Sequence, residues 1–370
     1  MYRARQLALT VVLVVAALSL AASASAQGDR GPGAVYTLTN AAAGNAVAVF
    51  DRAADGTLTP EGTVPTGGLG TGAGLGSQGA LVLDQDRLFA VNAGSNTISS
   101  LEVDHGDEVE LQDVAPSGGV RPISLTVHGR ILYVLNAGNA TTPANIAGFL
   151  VFRGELIPLP GSSRPLSTAA PDPAQIEFTP DGRVLVVTEK ATNRITTYRV
   201  LFGFASGPLA QPSAGQTPFG FAFDQQGRLI VSEAFGGAPD ASVLSSYEVS
   251  RGGAISVIDP NVGTTETAAC WVVVTKNGRF TYTTNTGSNS ISGYAIGGDG
   301  SLTLLDADGK TADTGATPID AALSRSSQFL YELSSGVAEI GGYSVNSDGS
   351  LDPLGVVGGL PTSAVGLAAS

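Results

Sequence analysis

Glu189 and Glu233 are the residues of this chain best suited to acid–base chemistry. Each closes an apolar strand, Val186-Val187-Thr188-Glu189 and Ile230-Val231-Ser232-Glu233, and the two strands are corresponding parts of successive repeat units. Paired carboxylates divide the work of proton donor and acceptor when their surroundings push their pKa values apart. The residues ending the corresponding strand of the other units are Asn40 (or Thr39), Asn92, Asn136, Asn285 and Ser334, which are amides and hydroxyls. If these strand ends converge, they form a polar ring containing one acidic pair. The alternative reading is that they cap loops through side-chain to backbone hydrogen bonds, as Asn does in turns.

Other candidates carry less chemistry. His105 sits in the polar hairpin tip Asp104-His105-Gly106-Asp107 and His128 in the turn Val127-His128-Gly129-Arg130, both expected to face away from such a ring. With two histidines, one cysteine and no clustered spacing, no metal site is expected. Asp306-Ala307-Asp308-Gly309 lacks the closing Glu of a calcium loop and reads as a hairpin turn. Cys270 has no base nearby in sequence to activate it, so it reads as core. Its neighbour Trp271 reads as core too, with stacking on a sugar ring near the mouth as the alternative. The run from Gly67 to Gly76 resembles a phosphate loop only in its glycines. It lacks a Lys-Ser/Thr pair and a following helix, and reads as a flexible connection between units bordering the channel.

These residues need a scaffold that brings distant segments together, and the sequence carries one in its repeats. A phrase recurs: an apolar strand, an Asp-Gly-type turn, an aromatic-bearing strand, an Asn- or Glu-led loop and a third strand ending in Tyr-x-Val or similar. Full copies include Phe178 to Tyr198, Phe223 to Val249 and Thr275 to Tyr294. Shorter copies surround Phe89, Tyr133 and Tyr331. The first copy, Val35 to Asn40, lacks its leading strand, whereas the C-terminal segment Pro361 to Ser370 is an unpaired strand of the right type. Seven units of roughly 49 residues fit four-stranded propeller blades. The expected fold is an all-β, seven-bladed β-propeller of antiparallel blades, closed by the C-terminal strand. A blade needs neighbours on both faces, so one ring domain over 27–370 is expected.

The first residues read as a signal peptide over 1–26: Arg3 and Arg5, an apolar run from Leu7 to Leu20, then Ala24-Ser25-Ala26. A secreted or periplasmic protein without membrane insertion is therefore expected. The single cysteine excludes an internal disulfide. The formal charge of −13 becomes about −15 once the two leading arginines are removed, which disfavours nucleic acid as a partner. No cofactor is called for. The expected partner is a small molecule or glycan, and the expected state a monomer.

The units Thr179-Pro180-Asp181-Gly182-Arg183 and Tyr282-Thr283-Thr284-Asn285-Thr286-Gly287-Ser288-Asn289 resemble those of the lactonase-type propellers, a group that includes 6-phosphogluconolactonase-like and carboxymuconate cyclase-like proteins. The resemblance covers nearly the whole mature chain. It implies a site at one mouth of the central channel and hydrolysis or formation of a sugar or organic-acid lactone. On that reading Glu189 and Glu233 are acid and base, with Arg121, Asn92, Asn136, Arg194 and Asn285 binding substrate; Lys190 is a further donor for an oxyanion. Arg121-Pro122 matches the family's Arg-Pro entry to an inner strand. The corresponding Asp172-Pro173-Ala174-Gln175 and Thr217-Pro218-Phe219-Gly220 lack the histidine or arginine that the family often carries there. Two alternatives remain: a non-catalytic binding or surface-scaffold propeller, and a cyclase or lyase acting on an unsaturated acid.

Overall fold

The sequence repeats fold into seven antiparallel sheets, seen in a computed structural model that describes residues 33–104 and 108–370. The segment read as a signal peptide and the hairpin tip at His105 lie outside the described residues. In the fourth blade the order is Pro173–Phe178, Val184–Glu189, Arg194–Leu201 and Phe204–Pro212, each strand pairing with the next. The fifth follows with Pro218–Phe223, Leu229–Glu233, Val243–Val249 and Ile255–Gly263. Inner strands pack on one another around the full circle, so the sheets form a closed seven-bladed propeller. No helix among the described residues is long and apolar enough to cross a membrane.

Closure uses the strand left unpaired by the repeat. Val365–Ala369 becomes the inner strand of the first blade, pairing antiparallel with Gly33–Leu38, Tyr36 opposite Ala368. Ser370 finishes the seam: its backbone N–H donates to the Ala34 carbonyl at 2.9 Å, and Arg52 Nη2 donates to the Ser370 carbonyl at 3.1 Å.

The aromatic positions of the repeat fasten blade to blade. Second-strand tyrosines Tyr133, Tyr282 and Tyr331 are buried and donate forward to carbonyls of Gly203, Gly349 and Gly56 in the outer turn of the next blade, at 3.0, 2.8 and 2.7 Å. Third-strand tyrosines Tyr198, Tyr294 and Tyr343 donate backward to Pro165, Gly263 and Asp313. A tyrosine buries a large ring and still needs a partner for its hydroxyl, so each of these positions contributes both apolar packing and a fixed inter-blade hydrogen bond.

Inner strands begin alike. Arg121, Asp172, Thr217 and Thr317 all have φ between 49° and 58°, and each precedes a proline that opens a strand. Asn96, Asn193 and Asn289 accept the backbone N–H of Arg121, Thr217 and Thr317 at 2.7–2.8 Å. The opening proline then pairs with the strand-end residue singled out in the sequence: Pro122 with Asn136, Pro173 with Glu189, Pro218 with Glu233, Pro318 with Ser334.

Candidate functional site

The ring of strand-end residues exists, but its members face protein. Glu189 and Glu233 have no exposed surface. Glu189 Oε1 accepts from the Ser167 backbone N–H at 3.0 Å and Thr196 Oγ1 at 2.7 Å, and Oε2 from Thr192 Oγ1 at 2.8 Å and from the Ser167 hydroxyl. Glu233 Oε1 accepts from Ser213 Oγ at 2.5 Å and Tyr247 OH at 2.7 Å, and Oε2 from Ser245 Oγ at 2.6 Å. Every acceptor oxygen is thus occupied by a donor from the same blade or from the segment leading into it. The geometry is that of a latch tying the entering segment to its blade, which matches the loop-capping alternative for these positions.

The amides are buried in the same way but less completely satisfied, Asn136 Oδ1 and Asn285 Oδ1 having no hydrogen-bond partner. Asn92 Oδ1 accepts from Thr66 Oγ1 at 2.6 Å while its Nδ2 donates to Ser99 Oγ at 2.7 Å. Asn136 Nδ2 donates to the Ser117 carbonyl at 3.2 Å, and Asn285 Nδ2 to Ser290 and Ser292 at 3.0 and 2.8 Å. All three amides are fully buried. The partners that sequence reading missed are Thr66, Ser117, Ser167 and Ser213, which stand one or two residues after the last strand of the preceding blade, each following a Pro or Pro-Leu; their recurrence there was the available signal.

The glycine-rich connection between the first and second blades does more than border the channel: its end enters it and bonds across it. Ser77 Oγ donates to the Ile123 carbonyl of the third blade at 2.8 Å, and the Gln78 backbone N–H to Ala174 of the fourth at 3.1 Å. Trp271 Nε1 of the sixth blade donates to the Ser77 carbonyl at 3.0 Å. The Gln78 side chain pairs with the backbone of Val272, accepting its N–H at 3.0 Å and donating to its carbonyl at 2.7 Å. Gln175 does the same to Phe221 from the neighbouring blade, at 2.7 and 2.9 Å. The fifth blade has Gly220 where the fourth has Gln175, and Gln78 supplies the missing amide from across the channel. Trp271, only 4% exposed, holds this plug and has no free face for a sugar. Cys270 is buried, and burial pushes its thiol up to about 12, consistent with core packing.

On the outer side of the plug a small set of charges converges. Lys190 Nζ donates to the Gly76 carbonyl at 2.8 Å, lies 3.4 Å from Asp172 Oδ1 and sits 4.9 Å from the centre of the Phe219 ring. Phe219 in turn packs on Trp271 with centroids 4.9 Å apart. Burial lowers the Lys190 pKa; Asp172 opposes that shift and the Arg121 charge adds to it. Arg121 and Asp172 are exposed. Arg194 is exposed at the start of its strand, across the ladder from Glu189. A half-buried, aromatic-backed ammonium beside an accessible carboxylate and a second cation is able to hold an anionic oxygen and position a water.

Comparison with known proteins finds no matching family model and no matching curated protein. Solved structures do match. A candidate 6-phosphogluconolactonase from Bacteroides fragilis aligns over 93% of this chain and 99% of its own, with a TM-score of 0.70 at 15% identity. A second from Bacteroides uniformis aligns over 90% and 99%, with a TM-score of 0.69 at 17% identity. The periplasmic gluconolactonase of Pseudomonas aeruginosa aligns over 90% and 99%, with a TM-score of 0.68 at 17% identity. The chain shares its propeller fold with these structures. At these identities the likeness carries architecture along the full length of each neighbour and leaves the reaction to be argued from the residues present.

Proposed function

We propose that this chain is an exported lactonase-like propeller that opens a sugar or organic-acid lactone on the outer side of the plug. The observation that carries the reading is the Lys190–Asp172 pair, seated on Phe219 within reach of the Arg121 charge. The Asp172 carboxylate takes a proton from water while the water oxygen bonds to the lactone carbonyl carbon. Lys190 stabilises the oxyanion that forms, and Arg121 holds the anionic or hydroxylated end of the substrate. The ring C–O bond then breaks, and the proton on Asp172 passes to the departing alkoxide. Glu189 and Glu233 act as positioning residues, holding the segments that lead to Asp172 and Thr217. The acidic surface and the absence of a membrane-spanning helix among the described residues are compatible with work outside the cytoplasm.

The test is turnover of aldonolactones and muconolactones by the purified mature protein, with Asp172→Asn and Lys190→Met beside it. Loss of one oxyanion donor is expected to lower kcat/KM by about 100-fold. No turnover of any lactone would remove the catalytic reading. A second reading, a non-catalytic binding or scaffold propeller, is favoured by the filled channel mouth and by the lack of histidine at the inner-strand entries; glycan or protein capture by a catalytically silent chain would support it.

A further inference from the structure

Behind the plug the channel opens into a cavity of about 470 Å³ that runs from Gln78 to the far ends of the inner strands at Asp84 and Leu323. Among the described residues lining it, the ionisable side chains are Asp84, Glu177 and Asp320, all acids on the inner strands of three different blades. Asp84 has compensation: Arg87 and His128 act on its charge. Glu177 has only the Gln175 amide, whose Nε2 donates to Oε2 at 3.0 Å. Asp320 is 2% exposed; its Oδ1 accepts the Ala321 N–H at 2.8 Å, its carboxyl faces the Gly366 and Leu367 amides, and its Oδ2 has no hydrogen-bond partner. A buried carboxyl oxygen left without a donor is costly unless something supplies one.

We infer that this cavity binds a small organic cation, a primary ammonium or linear diamine, between Glu177 and Asp320. An ammonium group brings three donors and a positive charge to a site that has acids and no cation of its own. An anion would find no counter-charge among the lining side chains. A neutral polyol would gain hydrogen bonds but bring no charge that lets the two acids ionise. The plug closes one end, so the ligand enters from the face opposite the one used in the lactone reading, and the acidic surface draws cations toward it. Without ligand, burial keeps Glu177 protonated up to about 8 and raises Asp320 as well. Binding therefore displaces protons, and affinity rises with pH.

Calorimetric titration of the mature chain with 1,4-diaminobutane tests this, using sorbitol as the uncharged control. The expected result is diamine binding at least tenfold tighter at pH 8 than at pH 6, proton release that shows as a buffer-dependent heat, and no binding of sorbitol. Glu177→Gln and Asp320→Asn should each weaken binding by tenfold or more. Glu177, partly accessible, serves as the decisive variant if Asp320→Asn fails to fold. Absence of diamine binding at pH 8, binding that Glu177→Gln leaves unchanged, or preference for sorbitol would each overturn the inference. Lactone turnover, measured separately, depends on neither acid.

Discussion

The amide of Gln78 occupies the space that a side chain at Gly220 would fill. A Cβ at position 220 would stand 2.2 Å from Gln78 Oε1 and 2.4 Å from the Cys270 carbonyl. The sixth inner strand therefore takes its partner amide from a residue at the entry to the second blade, reaching across the ring, and that amide fits only because position 220 of the fifth strand has no side chain. This relationship turns a connection between two blades into an axial plug that contacts four.

Gly220→Ala should expel the Gln78 amide and lower stability by about 2 kcal/mol, the usual cost of overpacking a filled interior. Gln78→Ala removes the same bridge from the other side. If the two residues act as one unit, the double variant will lose much less than the sum of the singles in a urea-denaturation cycle. Additive losses would mean that Gly220 serves some other need.

Glu189→Ala and Glu233→Ala should each cost about 2–4 kcal/mol, because each leaves buried hydroxyl and backbone donors without an acceptor. The corresponding Gln variants keep one acceptor oxygen and should cost less, since the serine and threonine hydroxyls can rotate to accept from the new amide. Thermal denaturation checks the ranking. Turnover per folded molecule, in any lactone assay that shows activity, should fall little in the Gln variants; a loss above 100-fold at full stability would return these carboxylates to the chemistry.

The architecture was legible because its signals are local and repeated. Aromatic second strands such as Phe280 to Asn285, the Gly turns, and a C-terminal strand without a partner each point to a closed ring. The strand-end positions were also readable, including the register that sets Glu189 and Glu233 at corresponding places. Their burial was not, since it depends on Ser167 and Ser213 folding over them, and a hydroxyl recurring after an outer strand does not by itself name its partner. The plug was invisible for a similar reason: Gln78 and Val272 lie far apart in sequence, and a run of glycines carries no pattern that names its partner. A second signal was missed. Gln175 and Glu177 alternate with Ile176 and Phe178 along an inner strand, and a period of two on that strand assigns the polar pair to the channel side.

Deleting Val365 to Ser370 should abolish cooperative folding. The deletion strips the first blade of its inner strand, exposes an edge along Gly33–Leu38, and breaks the only seam at which the circle is not closed by continuous chain. Supplying the missing segment as a peptide should recover native ellipticity in part, since the register is set by the side chains of Tyr36 and its neighbours. A truncated chain that melts cooperatively at the parent temperature would show that six and a fraction blades suffice.

Stability should fall as pH rises from about 4.5 to about 8, the reverse of the usual acid-side loss. The cause is Glu177, which burial holds protonated up to about 8, and Glu332, which burial holds protonated up to about 7. An unfolded glutamate releases its proton near 4.5, so through this window the native state binds more protons than the unfolded state. Linkage then requires unfolding to become easier with each step upward in pH: the contribution of these two groups is complete below about 4.5 and gone above about 8. Melting temperatures measured from pH 4.5 to 8.5 should decline, and Glu177→Gln, which has no proton to lose, should flatten the upper part of that decline. A wild-type profile that rises across the window, or one that Glu177→Gln leaves unaltered, would mean that the channel carboxyl ionises as freely as it does in the unfolded chain.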